Sequence, residues 1–445
     1  MAVNNGFLPR GTTIHQEQPF VYILSSKNQK ECCDFCFKRW TDLFKCSSCK
    51  YVYYCDKKCQ KLAWTTHKQE CKPLKRIYPR ILPDAARMLF RLLKKLQNGG
   101  ITYKSYYSKK DYRMWKDLMS HYSELKNDSR RMEHVTSLYA VLTDFMQDEQ
   151  LPNFVEFTGL YGRMSVNSFT ICNQELQSLG TGIYLAASII DHSCQPNALA
   201  IFEGTTLIIR TIDDMPKLDW STIKICYIDT LASTQERQNE LFETYYFLCD
   251  CPKCSKSENM SEMFGAVCPN ESCDNSVPIT RNEISKCSKC EKQLTQDYID
   301  RFHEVIEFTD MHLSLMKNTT YLDVCKICLK KQKGLLYKYN LKHIKTQDLA
   351  FDACINLNDF DTALVYGIEL TESYGKYLPS IHPLTGLLYL KLCKILMYKN
   401  KPKDAIVYLR KATDILKITH STASSLYKTE VWPLIEQCKF SFNKN

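Results

Sequence analysis

Eight soft metal ligands stand in regular order between residues 33 and 71: Cys33-x2-Cys36, Cys46-x2-Cys49, Cys55-x3-Cys59 and His67-x3-Cys71. Tetrahedral zinc takes four thiolate or imidazole donors, so the run holds enough for two ions. A CxxC knuckle sets two sulfurs about 3.7 Å apart, close to the edge of a tetrahedron whose Zn–S bonds are about 2.3 Å. Paired spacing of this kind separates metal ligands from buried apolar cysteines, which scatter. Cys32 falls outside the pairs and reads as a bystander.

Further cysteines follow. Cys249-Asp-Cys251-Pro-Lys-Cys254 offers three thiolates and needs a fourth donor from elsewhere in the fold. The candidate is Cys194, in the polar turn Asp191-His192-Ser193-Cys194-Gln195-Pro196-Asn197, which breaks an otherwise β-like region. Cys268-x4-Cys273 and Cys287-x2-Cys290, with residues 274–286 between them, read as a small zinc ribbon. Cys325-x2-Cys328 lacks a second pair nearby and sits in a helical pattern, so it reads as buried. The expectation is three zinc ions, and a fourth in the ribbon. Each set closes on four protein ligands and leaves no position for water, which points to structural rather than hydrolytic metal.

The elements that must carry these ligands can be read from composition and pattern. A chain of 445 residues can build several domains with their own cores. Its 23 cysteines would suit disulfides in a secreted protein, but no apolar signal segment follows Met1 and the pairs have metal spacing. An intracellular, reducing compartment and a soluble protein are therefore expected, with no apolar run long enough to span a bilayer. A formal net charge of +10 is mild for this length and admits acidic partners without demonstrating nucleic-acid binding. Residues 11–24 read as a short strand pair interrupted by the cysteine-rich finger, and residues 79–150 as helices. A β-rich stretch over 161–230 contains Leu199–Phe202, Leu207–Ile212 and Ile223–Ile228, with turns at Glu203-Gly204 and Asp213-Asp214. Beyond residue 295 the pattern is helical. Asp361-Thr-Ala363-Leu-Val-Tyr366 returns as Asp404-Ala405-Ile-Val-Tyr408, around an amphipathic register at Leu384/Leu387/Leu388/Leu392/Ile395/Leu396. Stacked helical hairpins fit this echo. An ordinary helical bundle is the alternative.

The 33–71 run resembles the MYND zinc finger, which implies interleaved sites Cys33/Cys36/Cys55/Cys59 and Cys46/Cys49/His67/Cys71. Asn167-Ser168-Phe169, Gly180-Thr181-Gly182-Ile183-Tyr184, the Asp191–Asn197 turn, Ile225-Cys226-Tyr227 and the 249–254 cluster stand in the order found in SET-domain lysine methyltransferases. A SET domain split by a MYND finger and followed by a helical tail resembles the SMYD family, nearest its histone- and kinase-methylating branch. The implied fold is multidomain α+β: a β-rich SET domain split by the finger, a cysteine-rich post-SET zinc region and a C-terminal TPR-like helical domain. The divisions are 1–32 (an N-terminal SET portion read as truncated), 33–71 (finger), 72–160 (helical insert), 161–230 (core SET), 231–298 (post-SET with ribbon) and 299–445 (helical domain).

The resemblance also implies chemistry. The expected activity is transfer of a methyl group from S-adenosylmethionine to a lysine of histone or non-histone proteins. Phe169, Tyr227 and Tyr245 are the implied catalytic set, with Phe247 beside them, and Tyr227 would orient the amine. Asn167, Asp191, His192 and Phe247 are implied to face the cofactor. Three departures from the family pattern are visible: Asn4-Asn5-Gly6 stands where a glycine-rich cofactor loop is expected, Asp191 replaces an asparagine, and Lys217-Leu-Asp219-Trp220 replaces a Gly-Glu-Glu turn. These leave open an adaptor with weak or no activity that recruits transcriptional partners. Expected partners are lysine-bearing protein substrates, proline-rich peptides at the finger, chaperone or transcription proteins at the tail, and weakly nucleic acid, but no membrane. A monomer in cytoplasm and nucleus is expected.

Overall fold

The computed structural model describes residues 6–147, 149–279, 285–316 and 321–442. Residues 1–5, which hold Asn4 and Asn5 of the expected cofactor loop, lie outside the described residues. The chain divides into two compact units. One runs to Tyr227 and includes Glu240–Leu248 and Ile418–Leu426; the other comprises Ile228–Asn239, Cys249–Lys417 and the segment from Tyr427.

Two three-stranded antiparallel sheets organise the first unit. In one, Thr13–Glu17 and Ala198–Glu203 flank Thr206–Thr211; in the other, Val21–Leu24 and Ser168–Cys172 flank Ser178–Ile183. Strands adjacent in space thus come from segments about 150 residues apart in sequence, with the finger and its helices inserted between them. Gly180 pairs with both Leu24 and Ile171. A Cβ there would lie 2.1 Å from the Ile23 carbonyl oxygen and 2.8 Å from the Phe37 ring, so the sheet closes only around glycine. A short parallel pair, Asp191–His192 with Lys224–Ile225, places the 191–197 turn beside Tyr227.

The finger has no core of its own. Cys33, Cys46, Cys49, Val52, Tyr54 and Cys71 join one apolar cluster with Leu74, Leu89, Leu92, Phe145 and Phe157. These last five come from helices Lys57–Ile77, Asp84–Gln97, Ser129–Met146 and Phe154–Asn167. Cys32 is buried in the neighbouring sheet core with Leu24, Phe37 and Ile171, consistent with a bystander.

Three expectations need correction. Residues 161–167 belong to helix Phe154–Asn167, so the β-rich stretch starts at Ser168. Of Ile223–Ile228 only Lys224–Ile225 is strand. A small hairpin, Ser105–Tyr106 with Tyr112–Arg113, interrupts the helical reading of 79–150.

The second unit is mainly helical. Helices Gln296–Leu315, Leu322–Gln332, Leu341–Asn356, Phe360–Tyr377 and Pro383–Tyr398 share one core containing Cys325, Phe351, Ala363, Leu370 and Leu392. Small residues sit where these helices touch: a Cβ on Gly367 would lie 2.7 Å from both Leu392 and Phe351, and one on Gly386 would lie 3.0 Å from Ile415 and Leu416. Ala363 and Ala405, the matched positions of the internal echo, are completely buried. No helix among the described residues is long and apolar enough to cross a membrane.

Candidate functional site

The structure assembles the finger's ligands as the resemblance implied. Cys33, Cys36, Cys55 and Cys59 form one group and Cys46, Cys49, His67 and Cys71 the other, each with ligand atoms within 4.8 Å of one another. The sulfurs of Cys36 and Cys55 are 3.8 Å apart and those of Cys46 and Cys71 3.8 Å, while His67 Nε2 lies 3.4 Å from Cys46 and 3.5 Å from Cys49. These lengths match the edges of a zinc tetrahedron, and the thiolate and imidazole donors suit zinc. Local chemistry builds the geometry: Asp56 caps helix Lys57–Ile77 by accepting the Cys59 amide at 2.6 Å, and the helix repeat then sets His67 and Cys71 on one face.

A further group, Cys268, Cys273, Cys287 and Cys290, lies within the second unit, with its ligand atoms also within 4.8 Å of one another. Its sulfurs pair at 3.5 Å (Cys268–Cys290) and 3.7 Å (Cys273–Cys287). Cys249 and Cys251 are buried and Cys254 half-buried in that unit, where Gln238 donates to the Cys249 carbonyl and the Arg237 guanidinium approaches the Cys254 sulfur at 3.6 Å. Cys194 is buried in the first unit. Cys325 and Cys328 are buried, as expected.

Behind the finger lies a set of charges that the sequence reading missed. Asp34, next to ligand Cys33, and Glu70, three residues after ligand His67, both pair with Arg87 and Arg91 at 2.6–2.9 Å, and all four are buried. Arg91 also donates to the Tyr22 carbonyl at 2.7 Å, which ties the finger to strand Val21–Leu24. Burial alone would raise the Glu70 pKa, but Arg87 and Arg91 hold it well below the usual carboxylate range. The available signal was two arginines four residues apart within the apolar run Ala86–Leu93.

A cavity of about 230 Å³ opens in the first unit, with Phe169, Tyr227 and Tyr245 in its wall together with Asn167, Cys172 and Ile225. No carboxylate, lysine or arginine lines it among the described residues. The Tyr227 hydroxyl donates to the Ile190 carbonyl at 2.5 Å, so its oxygen lone pairs remain available to accept a hydrogen bond from a ligand. Burial pushes the pKa of Tyr227 above the ordinary phenol range, with the Arg113 charge opposing, and burial raises Tyr245 as well. Cys172 is pushed up to about 11 by burial. These two phenols and the Cys172 thiol are therefore uncharged at physiological pH.

The expected cofactor residues lie in the same unit and are differently committed. The Asn167 amide donates to the Met119 and Arg163 carbonyls at 2.9 and 2.8 Å. Tyr227 donates its main-chain N–H to His192 Nδ1 at 3.0 Å; this assigns the neutral ring's proton to Nε2, which faces the Cys194 sulfur at 3.2 Å. What His192 can present to a ligand is therefore its ring face and main chain. Asp191 is exposed and pairs with Lys224 at 2.8 Å. The rings of His192, Tyr227, Tyr245 and Phe247 form a chain of contacts with centroids 5.1–6.4 Å apart. Aromatic faces grouped in this way attract a cation such as the sulfonium of the expected methyl donor.

Comparison with known proteins agrees with this architecture. The MYND finger family model matches residues 33–71. Human "Histone-lysine N-methyltransferase SMYD3" is 31% identical over 433 residues, covering 96% of this chain and 92% of its own. "Histone-lysine N-methyltransferase ASHR1" of Arabidopsis thaliana is 30% identical, covering 94% and 89%. "N-lysine methyltransferase SMYD2-A" of Xenopus laevis is 27% identical, covering 90% and 88%. Similarity at this level along almost the whole length, with the ligand sets of the finger assembled in space, means that the chain belongs to the SMYD family.

Proposed function

We propose that this protein is a protein-lysine N-methyltransferase that uses S-adenosylmethionine and acts on histone or non-histone proteins. The observation that carries this reading is the cavity that gathers Phe169, Tyr227 and Tyr245 without a carboxylate, lysine or arginine in its wall, with the Tyr227 hydroxyl held by the Ile190 carbonyl. Bound S-adenosylmethionine supplies an electrophilic methyl group for in-line displacement by an amine. The chain's part is to deliver that amine uncharged and aligned. An ammonium group entering a cavity without a carboxylate loses hydration that no counter-charge replaces, so its pKa of about 10.4 falls and the neutral form gains. Tyr227 accepts one amine N–H and fixes the direction of the remaining lone pair. Phe169 and Tyr245 limit sideways motion and exclude water, and such positioning supplies most of the rate in a displacement of this kind.

The same reading gives the metals a supporting role. Two ions occupy the finger and a third the Cys249/Cys251/Cys254 thiolates, with Cys194 as fourth donor. A fourth ion occupies the 268–290 ribbon, whose cysteines have the spacing and the reach for it. Free thiols in metal-binding sets support a reducing compartment, cytoplasm or nucleus. Lysine-bearing proteins are the substrates, the finger takes proline-rich peptides, the tail docks chaperone or transcription proteins, and the enzyme is a monomer.

The deciding experiment is calorimetric titration of S-adenosylmethionine into the purified chain, followed by label transfer to histones and a cytosolic protein panel. Saturable binding with label on lysine supports the enzyme. Failure to bind at millimolar concentration overturns it in favour of an adaptor.

A further inference from the structure

The small hairpin of Ser105–Tyr106 and Tyr112–Arg113 grips the turn that leads to Ile190. Ser105 and Arg113 face each other across the two strands. The Ser105 hydroxyl donates to Glu17 Oε1 at 2.6 Å, and Glu17 also accepts the main-chain N–H of Ala186 on Oε1 at 3.0 Å and that of Ala187 on Oε2 at 2.9 Å. Arg113 donates from Nη1 to the Ser188 carbonyl at 2.5 Å and from Nη2 to the Asp117 carbonyl at 2.6 Å. Three successive residues, Ala186, Ala187 and Ser188, are thus held by side chains from positions 17 and 113. Two residues further on, the Ile190 carbonyl accepts the Tyr227 hydroxyl. The hairpin is itself pinned, because the Tyr107 ring in its loop meets Trp220 edge-on with centroids 5.8 Å apart.

Ala186 and Ala187 are completely buried, so their N–H groups need partners, and a carboxylate supplies stronger and more directional ones than a neutral acceptor. Glu17 is buried as well, and the hydrogen bonds it accepts replace the hydration it has lost. The second arm of Arg113 extends the same arrangement. Asp117 opens a stretch whose next two carbonyls are also taken: Leu118 accepts from Arg163 Nε at 3.1 Å and Met119 from the Asn167 amide at 2.9 Å. Ser188 and Asn167 both line the Tyr227 cavity. The planar guanidinium of Arg113 therefore joins the supports of two wall residues through one rigid fork. We propose that Glu17 and Arg113 are positioning residues for methyl transfer: they set the Ile190 carbonyl and, through it, the direction in which the Tyr227 hydroxyl presents its lone pairs to the lysine amine. This rests on the methyltransferase reading of the Tyr227 cavity. In-line displacement depends on alignment, so a displaced Ile190 carbonyl lowers the rate even where the fold survives.

The test uses the full chain, with kcat measured on the best-labelled protein of the histone and cytosolic panel and S-adenosylmethionine affinity measured by calorimetry. Arg113→Lys keeps the charge but loses the fork that spans two carbonyls. Glu17→Gln keeps the shape but turns one acceptor into a donor facing an N–H group. Each should lower kcat about 2–12-fold, and no more than Tyr227→Phe does, while the dissociation constant for S-adenosylmethionine stays unchanged. The discriminating readout is a double-mutant cycle: in the Tyr227→Phe background the same substitutions should change kcat by less than about 1.5-fold, because no hydroxyl remains to be directed. Full zinc content checks that each variant is folded. Should either fail that check, Ser105→Ala, which removes a single hydrogen bond to Glu17, carries the cycle in its place. Losses that multiply with the Tyr227→Phe loss overturn the proposal, since a purely structural role costs the same in both backgrounds, and unchanged kcat in the single variants overturns it too. Either result leaves the enzyme reading intact. A wild type that labels no protein overturns the enzyme reading and the positioning role with it.

Discussion

Glu70 Oε1 accepts a hydrogen bond from Nδ1 of His67 at 3.2 Å, and so fixes the ring with Nε2 turned toward the sulfurs of Cys46 and Cys49. Glu70 also completes the buried square with Asp34, Arg87 and Arg91. One carboxylate thus orients a metal ligand and neutralises two buried guanidinium groups. Glu70→Gln keeps an oxygen for His67 but removes the negative charge, leaving the arginines with Asp34 alone. Breaking a buried ion pair in this way typically costs about 3–5 kcal/mol, and loss of a ligand-orienting partner lowers metal affinity about 10–100-fold. Thermal unfolding with chelator competition measures both. A variant that holds zinc and melts like the wild type would show that the network is dispensable.

The Tyr227 hydroxyl donates to the Ile190 carbonyl and, in the proposed reaction, accepts from the amine, so its removal takes away both contacts while the rest of the wall stays in place. Tyr227→Phe should lower kcat about 2–12-fold, the worth of one hydrogen bond of about 0.5–1.5 kcal/mol, while the dissociation constant for S-adenosylmethionine stays unchanged. A fall in cofactor affinity with kcat preserved would place the hydroxyl on the cofactor instead of the amine.

The ribbon makes a separable prediction. Because Cys268, Cys273, Cys287 and Cys290 form a closed set apart from the finger, Cys273→Ser should release one zinc per chain and leave the finger's ions in place. Elemental analysis of wild type and variant reads this directly. Equal metal content in the two proteins would mean that the ribbon cysteines are simply buried.

Much of this was legible in the sequence, for identifiable reasons. Metal ligation demands particular residue types at fixed short spacing, so all eight finger ligands and the ribbon could be named from the chain alone. The aromatic cavity could be placed through ordered motifs, and Gly180 belongs to one of them because the sheet leaves no space for a side chain. Features made by residues far apart without a spacing rule were not legible. Asp34, Glu70, Arg87 and Arg91 meet only through tertiary packing, and only tertiary packing brings Glu17 and Arg113 to the Ala186–Ser188 turn. Local pattern also misled: Tyr161–Asn167 reads as strand-like for its aromatic and branched residues, yet it completes a helix whose Asn153 cap and buried Phe157 and Tyr161 outweigh that preference.

Buried histidines give the fold a pH dependence with a definite sign. His343 packs inside the helical unit with Nδ1 against Gln332 Oε1 at 2.8 Å, and burial lowers its pKa to about 4. In the unfolded chain the same ring titrates near 6.5, so between those values the unfolded state binds the extra proton. Its contribution to stability is complete above pH 6.5 and is lost as the pH falls toward 4. At pH 5.5 the loss amounts to about 1.4 kcal/mol for this one residue. His382 and His420, each lowered to about 4 by burial, act in the same direction. Replacing His343 by Asn keeps a donor for Gln332 but removes the titrating ring. The difference in stability between wild type and His343→Asn, followed by denaturant unfolding from pH 7.5 to 5, should therefore shift toward the variant by about 1.4 kcal/mol at pH 5.5. A constant difference across that range would mean that His343 is already protonated, or reaches solvent, in the folded protein.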